Sequence, residues 1–454
     1  MVSFWKFITG VTDIAEVGEC IGQGTKGGAL VSQANLDVGV RDQFQGSEDE
    51  AKYGAVECGP VVFQDDLARA SGSVASARAG SIRMNMVMCQ KGLRLNEEKT
   101  GFLIYGSKNQ MEEVRSEVEK RPIICGSFEV KEKVQEKWLG DYFVGGGNLG
   151  DSVMITIKER MGKCKAACME IISIVKDLRS EVIGGFSSGL KLFEACVVPG
   201  LLYNAGTWTD IPKAAVDKLE DFMLWYIRML FQTGPGALKV GLRAETGMLS
   251  MEFRIWREKV TLGLPLSHLP LEALGRQVWD EQVFHGWPGL AKEVEQICQE
   301  LRVEQVADWD LSSQKYREVV TEACRQRDEV NLKKGMEGKT KARKIIKEGC
   351  MTKEYTKKKC LQDVRDIYAE RNFQLAFAGN YRHDKRFQRS DWLCHACDGE
   401  EGGDCEKVVI EEQDHVASRC PGYSDLRQQY DLQTDDGLIE FYRAVIKRRD
   451  ESTD

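Results

Sequence analysis

The spacing of apolar positions changes along the chain, and each spacing predicts an element. Val61-Val62-Phe63 is a short apolar run, which predicts a buried strand. Gly72–Gln90 carries Ile82, Met86 and Cys89 at helical spacing, and Leu93–Tyr105 returns to strand-like alternation. Residues 56–145 therefore read as mixed α/β. Residues 150–235 predict helices, with Met154–Leu178 and Gly189–Val198 the clearest and Pro199 ending the second. Ala214–Phe231 places Leu219, Phe222, Met223 and Ile227 on one face. Helical spacing dominates from Ala237 to Asn380, with breaks around Pro265–Pro270 and Pro288. Residues 10–46 are Gly-rich and mixed, and the last 65 residues exchange the helical pattern for Cys, His, Gly and acids. No repeat of fixed period is present.

Composition narrows the class. The 454 residues, 42% of them hydrophobic, can bury a sizeable core and imply roughly two to four domains. A wholly disordered or collagen-like chain is excluded. No apolar run is long enough to predict a membrane span, and Val2–Ile8 is too short for a secretion signal. The 15 cysteines, scattered from Cys20 to Cys420, read as reduced thiols, hence a nuclear or cytoplasmic protein that is not secreted.

Charge changes the picture further. With 63 basic and 71 acidic residues the net charge is −8, which argues against a nucleic-acid partner only if charge is evenly spread. It is not. Asn331–Ser390 holds 17 Lys/Arg against 7 Asp/Glu, a local +10. Its densest part includes Lys341, Arg343, Lys344, Lys357, Lys358 and Lys359. Such a stretch is a phosphate-contacting surface, or else a solvated helix face or tether.

Phe63-Gln64-Asp65-Asp66-Leu67 puts adjacent carboxylates after the apolar run. Adjacent carboxylates repel unless they are solvated or share a cation. At the tip of a strand–turn–strand hairpin they offer hard oxygen ligands to Mg²⁺. The plain alternative is a solvated turn.

The neighbouring blocks give the pair a context. Gly22-Gln23-Gly24-Thr25 precedes it, while Leu93–Thr100 and then Lys137-Trp138-Leu139-Gly140 follow. In this order the chain resembles the palm of a reverse transcriptase from a non-LTR (LINE-type) retrotransposon. The resemblance makes Gln23 and Gly24 the template-site contacts of motif B and Asp65 and Asp66 the Mg²⁺ ligands of motif C. It makes Lys99 the catalytic cation or acid of motif D, and Trp138, Leu139 and Gly140 the primer grip of motif E. Val198-Pro199-Gly200-Leu201-Leu202-Tyr203-Asn204-Ala205-Gly206-Thr207-Trp208 resembles the thumb and connection of the same elements.

The family's motif A carries a further essential carboxylate upstream of motif B. Only about twenty residues precede Gln23, and Asp13 is too close to serve, so it reads as a surface or capping residue. Two-metal transfer needs carboxylates on both sides of the metal pair. The expectation is therefore a chain inactive as a polymerase, with motif A and the fingers absent.

Near the C-terminus, Cys394, Cys397, His415 and Cys420 have the spacing C-x2-C-x17-H-x4-C, which suits tetrahedral Zn²⁺. Cys405 and His395 are competing donors. The block, continued by Pro421-Gly422-Tyr423-Ser424-Asp425-Leu426-Arg427, resembles the Cys-Cys-His-Cys knuckle of the same family. Asp391–Cys420 carries nine acids against Lys407 and Arg419, so phosphate contact is expected from the preceding basic segment. Cys164 and Cys168, at i and i+4, read as core-facing. His268 and His285 read as loop residues without carboxylates nearby.

The expected fold class is α+β. A partial palm over 1–145 is followed by a helical thumb over 146–235. A helical extension over 236–390, basic in 331–390, leads to a zinc knuckle over 391–427 and a tail over 428–454. Expected partners are RNA and DNA, with deoxynucleotides if active, and no membrane. Zinc is the expected cofactor, with magnesium only if the polymerase site is assembled. The alternative is a non-catalytic RNA/DNA-binding protein using the basic helices and the zinc module.

Overall fold

The computed structural model describes residues 2–8, 51–58, 61–63, 66–90, 95–146, 149–178, 185–231, 239–309, 313–337 and 420–432, and isolated positions between 437 and 448. Within these residues the chain is α+β: short strands and two helices toward the N-terminus, then helices. It divides into two compact units. One comprises Met1–Glu159, Asn204–Ala215 and Glu258–Arg317; the other comprises Arg160–Tyr203, Val216–Arg257 and Glu318–Asp454.

The first unit is built on a five-stranded sheet. Its strands are β1 (Val2–Ile8), β4 (Val61–Phe63), β5 (Asp66–Ser71), β6 (Gly101–Tyr105) and β9 (Lys131–Glu132), in the order β4-β5-β1-β6-β9. A separate hairpin joins β2 (Ala51–Tyr53) to β3 (Val56–Cys58). β1 runs antiparallel to both β5 and β6, so β5 and β6 are parallel to each other with β1 inserted between them. Helix α1 (Val74–Gln90) links those two strands, completing a split β-α-β unit. The apolar stretch Val2–Ile8, too short for a secretion signal, is the strand that splits it.

α1 starts where Ser73 accepts: its hydroxyl takes the Ser76 N–H at 3.1 Å, and its carbonyl takes the Ala77 N–H. Helix α2 (Lys108–Lys120) begins with a reciprocal capping box between Ser107 and Gln110. The core holds Leu67, Met84, Val87 and Met88 together with Phe102, Ile104, Val114 and Cys125. Each fully buried apolar side chain of this size contributes about 1.5–3 kcal/mol.

α1 covers the stretch that the spacing predicts, and its buried face is a different one from the stripe of Ile82, Met86 and Cys89. Ile82 and Met86 are 57% and 48% exposed and Cys89 is exposed, while Ala77, Met84, Val87 and Met88 face the core. The apolar period has two registers here, and the strand cover selects the one containing small residues. Strand-like alternation from Leu93 gives only β6, because Asn96–Thr100 form a turn.

Beyond β6 come two more hairpins. The first pairs β7 (Ile124–Cys125) with β8 (Phe128–Glu129), and the second pairs β10 (Gln135–Trp138) with β11 (Asp141–Val144). β11 docks on the start of α3 (Leu149–Leu178): the Tyr142 N–H donates to Thr156 Oγ1 at 2.8 Å and the Val144 N–H to Ser152 Oγ at 3.1 Å. Later segments of the same unit include α9 (Leu274–His285) and α10 (Leu290–Leu301). His285 is the last residue of α9, not a loop residue, and its Nε2 lies 3.2 Å from Glu281 Oε2. Its ring stacks on Trp287, which meets Tyr53 of β2 edge-on.

The second unit is helical over its described residues. It contains the remainder of α3, then α4 (Gly185–Leu192), a π turn at Phe193–Val197 and α5 (Val198–Leu201). Next come most of α6 (Lys213–Phe231), α7 (Lys239–Thr246), the start of α8 (Met251–Ser267) and most of α11 (Ser313–Met336). Pro199 does not end the run. The π turn shifts the Val198 N–H onto Phe193 O, so a fresh first turn begins at Val198, where a missing N–H costs little. Pro265 likewise falls inside α8, two residues before its end at Ser267. Cys168 is buried as expected, and burial pushes its thiol up to about 12. Cys164 is half-buried, its thiol also raised by burial.

Three carboxylates hold two of this unit's arginines. Arg254 grips Glu194 with two nitrogens, and Arg243 pairs with both Glu220 and Asp328. The carboxylates of Glu220 and Asp328 also accept the backbone N–H groups of Met251 and Ser250, so this charge cluster fixes where α8 begins. Burial raises the Glu220 carboxyl above its ordinary range, against the pull of Arg243.

Candidate functional site

Of the residue pair behind the metal reading, Asp66 on β5 pairs with Phe63 on β4. Asp65 itself lies outside the described residues, as do Gln23 and Gly24. Asp66 is the first residue of β5, and on the other edge its register partner is Ile8 of β1. β1 reads Val-Ser-Phe-Trp-Lys-Phe-Ile and carries no Asp or Glu. Among the described residues, β1 therefore brings no carboxylate beside Asp66.

β5 is anchored by a residue the sequence reading passed over. Leu67, Arg69 and Ser71 are buried, as is Ala68 between the first two. Arg69 is 2% exposed and donates to Ser71 Oγ, Ser76 O and Ser76 Oγ at 3.0, 3.0 and 3.3 Å. These bonds offset the cost of burying the guanidinium. Gly80 makes the room: a Cβ there would lie 1.9 Å from Arg69 Nη1.

Lys99 sits on the turn before β6 with its side chain in solvent. Its N–H is taken by Asn96 Oδ1 at 3.1 Å and its carbonyl accepts from Lys133 Nζ at 3.0 Å, so the backbone is fixed while the ammonium stays outside.

Trp138-Leu139-Gly140 forms the tip of the β10–β11 hairpin, with Trp138 paired to Asp141. Both turn residues are left-handed: Leu139 has φ 48° and Gly140 φ 90°. Gly accepts this without penalty, whereas for leucine it is strained. The tip is braced from a segment that the sequence reading put in the thumb. Asn204 Nδ2 donates to Leu139 O and to Asp141 Oδ2, each at 3.1 Å, and Trp208 Nε1 donates to Asp141 Oδ1 at 3.4 Å. Two separately noted sequence blocks thus meet at one carboxylate, Asp141.

The remaining candidates are mostly out of view. Lys341, Arg343, Lys344, Lys357, Lys358 and Lys359 lie outside the described residues, as do Cys394, Cys397 and His415. Cys420 is described: it is buried, and its carbonyl accepts from Arg427 at 2.6 Å. It leads into a single helical turn at Pro421–Tyr423 and helix α12 (Ser424–Gln429), with Tyr423 and Leu426 buried. Arg448 reaches back to Gly422 O at 3.0 Å and grips both oxygens of Asp425, holding that carboxyl down to about 2. Phe441 and Val445, from the stretch expected to be a tail, are fully buried. Among the described residues no group of three His, Cys, Asp or Glu could hold a metal. No described helix is long and apolar enough to cross a membrane.

Neither protein-family models nor curated proteins match this chain.

Proposed function

We propose that the chain is a retrotransposon-derived, reverse-transcriptase-like protein that handles RNA and DNA without completing the polymerase reaction. The observation that carries this reading is the register Ile8–Asp66–Phe63. Asp66 opens a strand of a split β-α-β sheet, paired with Phe63 on one side and on the other with β1, which has no Asp or Glu. The first half is the setting in which Asp65 and Asp66 can share Mg²⁺. The second half leaves β1 without a donor for a second ion. Asp65 and Asp66 then act as a partial metal site, Lys99 as a solvent-facing cation near it, and Trp138–Gly140 as a strand-contacting tip. The basic segment with Lys341, Arg343, Lys344 and Lys357–Lys359 supplies phosphate contacts, and Cys394, Cys397, His415 and Cys420 hold a zinc ion that folds the C-terminal module.

Primer extension tests it. The full chain, with a DNA primer on an RNA template, deoxynucleotides and Mg²⁺, is expected to bind the primer–template and add no nucleotides. Mg²⁺-dependent extension that disappears in Asp65→Ala sinks the inactive reading. Absence of any binding sinks the family reading as well.

A further inference from the structure

We infer that Asn204 is a positioning residue: its amide holds the Leu139-Gly140 tip in the shape that meets the end of a nucleic-acid duplex. The inference rests on the proposed function for its ligand. For its geometry it rests only on contacts within the first unit.

Leu139 sits at φ 48°, a conformation that a leucine does not adopt without restraint. One restraint is visible. The Asn204 amide donates both to the Leu139 carbonyl and to the Asp141 carboxylate, spanning the two ends of the turn. Asn204 is itself left-handed at φ 57°, which asparagine tolerates better than other side chains. Behind it the chain is rigid. The Asn204 carbonyl accepts from both the Thr207 N–H and Thr207 Oγ1 at 2.9 Å. Gly206 is pressed so close to α8 that a Cβ would lie 2.9 Å from Glu258 O. The post carrying the amide is therefore fixed by its own turn and by the helix behind it.

A brace of this kind is more than the hairpin needs for its own stability. β10 and β11 already form a full ladder, and β11 is tied to α3 by two hydroxyls. A two-residue turn with glycine at the first position, or asparagine followed by glycine, would close the same ladder without strain. Backbone strain that neighbouring groups hold in place is characteristic of binding sites, where it fixes a surface before the ligand arrives. The surface here is the tip, with exposed Lys137 beside it. An apolar tip with a lysine beside it fits a base edge or sugar with a phosphate alongside, the chemistry of a duplex terminus.

The test uses Asn204→Gly, which keeps the left-handed backbone and removes only the amide. Two measurements on the full chain are needed: hydrogen exchange at residues 138–144, and affinity for an RNA–DNA duplex with a recessed 3′ end against affinity for single-stranded RNA. Exchange at the tip should rise by about tenfold. Duplex affinity should fall by about tenfold while single-strand affinity, carried by the basic segment, holds. Asn204→Asp sets a second carboxylate against Asp141 and should weaken duplex binding further. Adding Asp141→Asn to it restores an amide–carboxylate bond and should recover part of the loss. Unchanged tip exchange overturns the inference, as does raised exchange with unchanged duplex affinity, or a double variant no better than Asn204→Asp alone. Failure of the wild-type chain to bind the duplex at all is a different result, and it removes the proposed function.

Discussion

Arg69 shows how one buried charge organises the strand that carries the candidate metal pair. Its Nη1 and Nη2 donate to two serine hydroxyls and one carbonyl, in a pocket that exists because residue 80 is glycine. Gly80→Ala puts a methyl where Nη1 now sits, so the guanidinium must leave its acceptors while remaining covered by α1. Leaving a buried cation under-bonded and overpacking the helix should together cost about 2–4 kcal/mol, read as a lower urea midpoint. Asp425 gives a second prediction, with its sign fixed by linkage. Arg448 lowers its carboxyl from 3.8 to about 2 in the folded chain. The stabilisation from that pair is therefore complete above the ordinary value and is lost as pH falls from there toward 2. Because the carboxyl is solvent-exposed, salt should weaken the effect. In Arg448→Met the Asp425 carboxyl should titrate close to its ordinary value by NMR, and persistence of the low value would contradict the pairing.

Elements differ in how far their sequence announces them, and the difference is physical. α6 was legible because Leu219, Phe222, Met223 and Ile227 repeat on one face, and that face is the buried one. The hairpin tip at Leu139-Gly140 could be located from Trp138-Leu139-Gly140. Its left-handed geometry and its brace could not, because Asn204 is 63 residues from Asp141 in sequence. α1 is legible as a helix but not in its buried face, since Ile82 and Met86 match the helical period as well as Met84 and Val87 do. Helical spacing alone cannot choose between two apolar stripes; the sheet does. β1 is hard to read as a strand because Ser3 and Lys6 fall on opposite faces of Val2–Ile8 and break the alternation. At this scale the turn itself is testable. Gly140→Ala places a side chain at φ 90° and should destabilise the β10–β11 hairpin by about 1–2 kcal/mol. The expected signature is faster amide exchange between Gln135 and Val144, with exchange in the α6 amides unchanged.

For the whole molecule, net charge is the property that misleads most. The chain carries −8, yet 331–390 alone carries +10, so the other residues together carry −18. A phosphate backbone is attracted to the local field and not to the sum, because beyond about 10 Å charges are screened at ordinary ionic strength. The acidic stretch Asp391–Cys420 adjoins the basic one in sequence and would repel the same phosphates. It also carries three of the four proposed zinc ligands together with Cys420, which is buried at the start of a helical turn braced by Arg427. The two segments thus have separable duties, one electrostatic and one structural. Deleting 333–359 should flatten the dependence of RNA affinity on salt concentration, since each lost phosphate contact removes about one unit of slope. The same deletion should leave the metal content at about one zinc per chain. Cys397→Ser should do the reverse, abolishing zinc while preserving the salt slope. A deletion that loses zinc, or a Cys397→Ser chain whose salt slope collapses, would show that the basic and cysteine-rich segments fold as one body and that the division of duties is wrong.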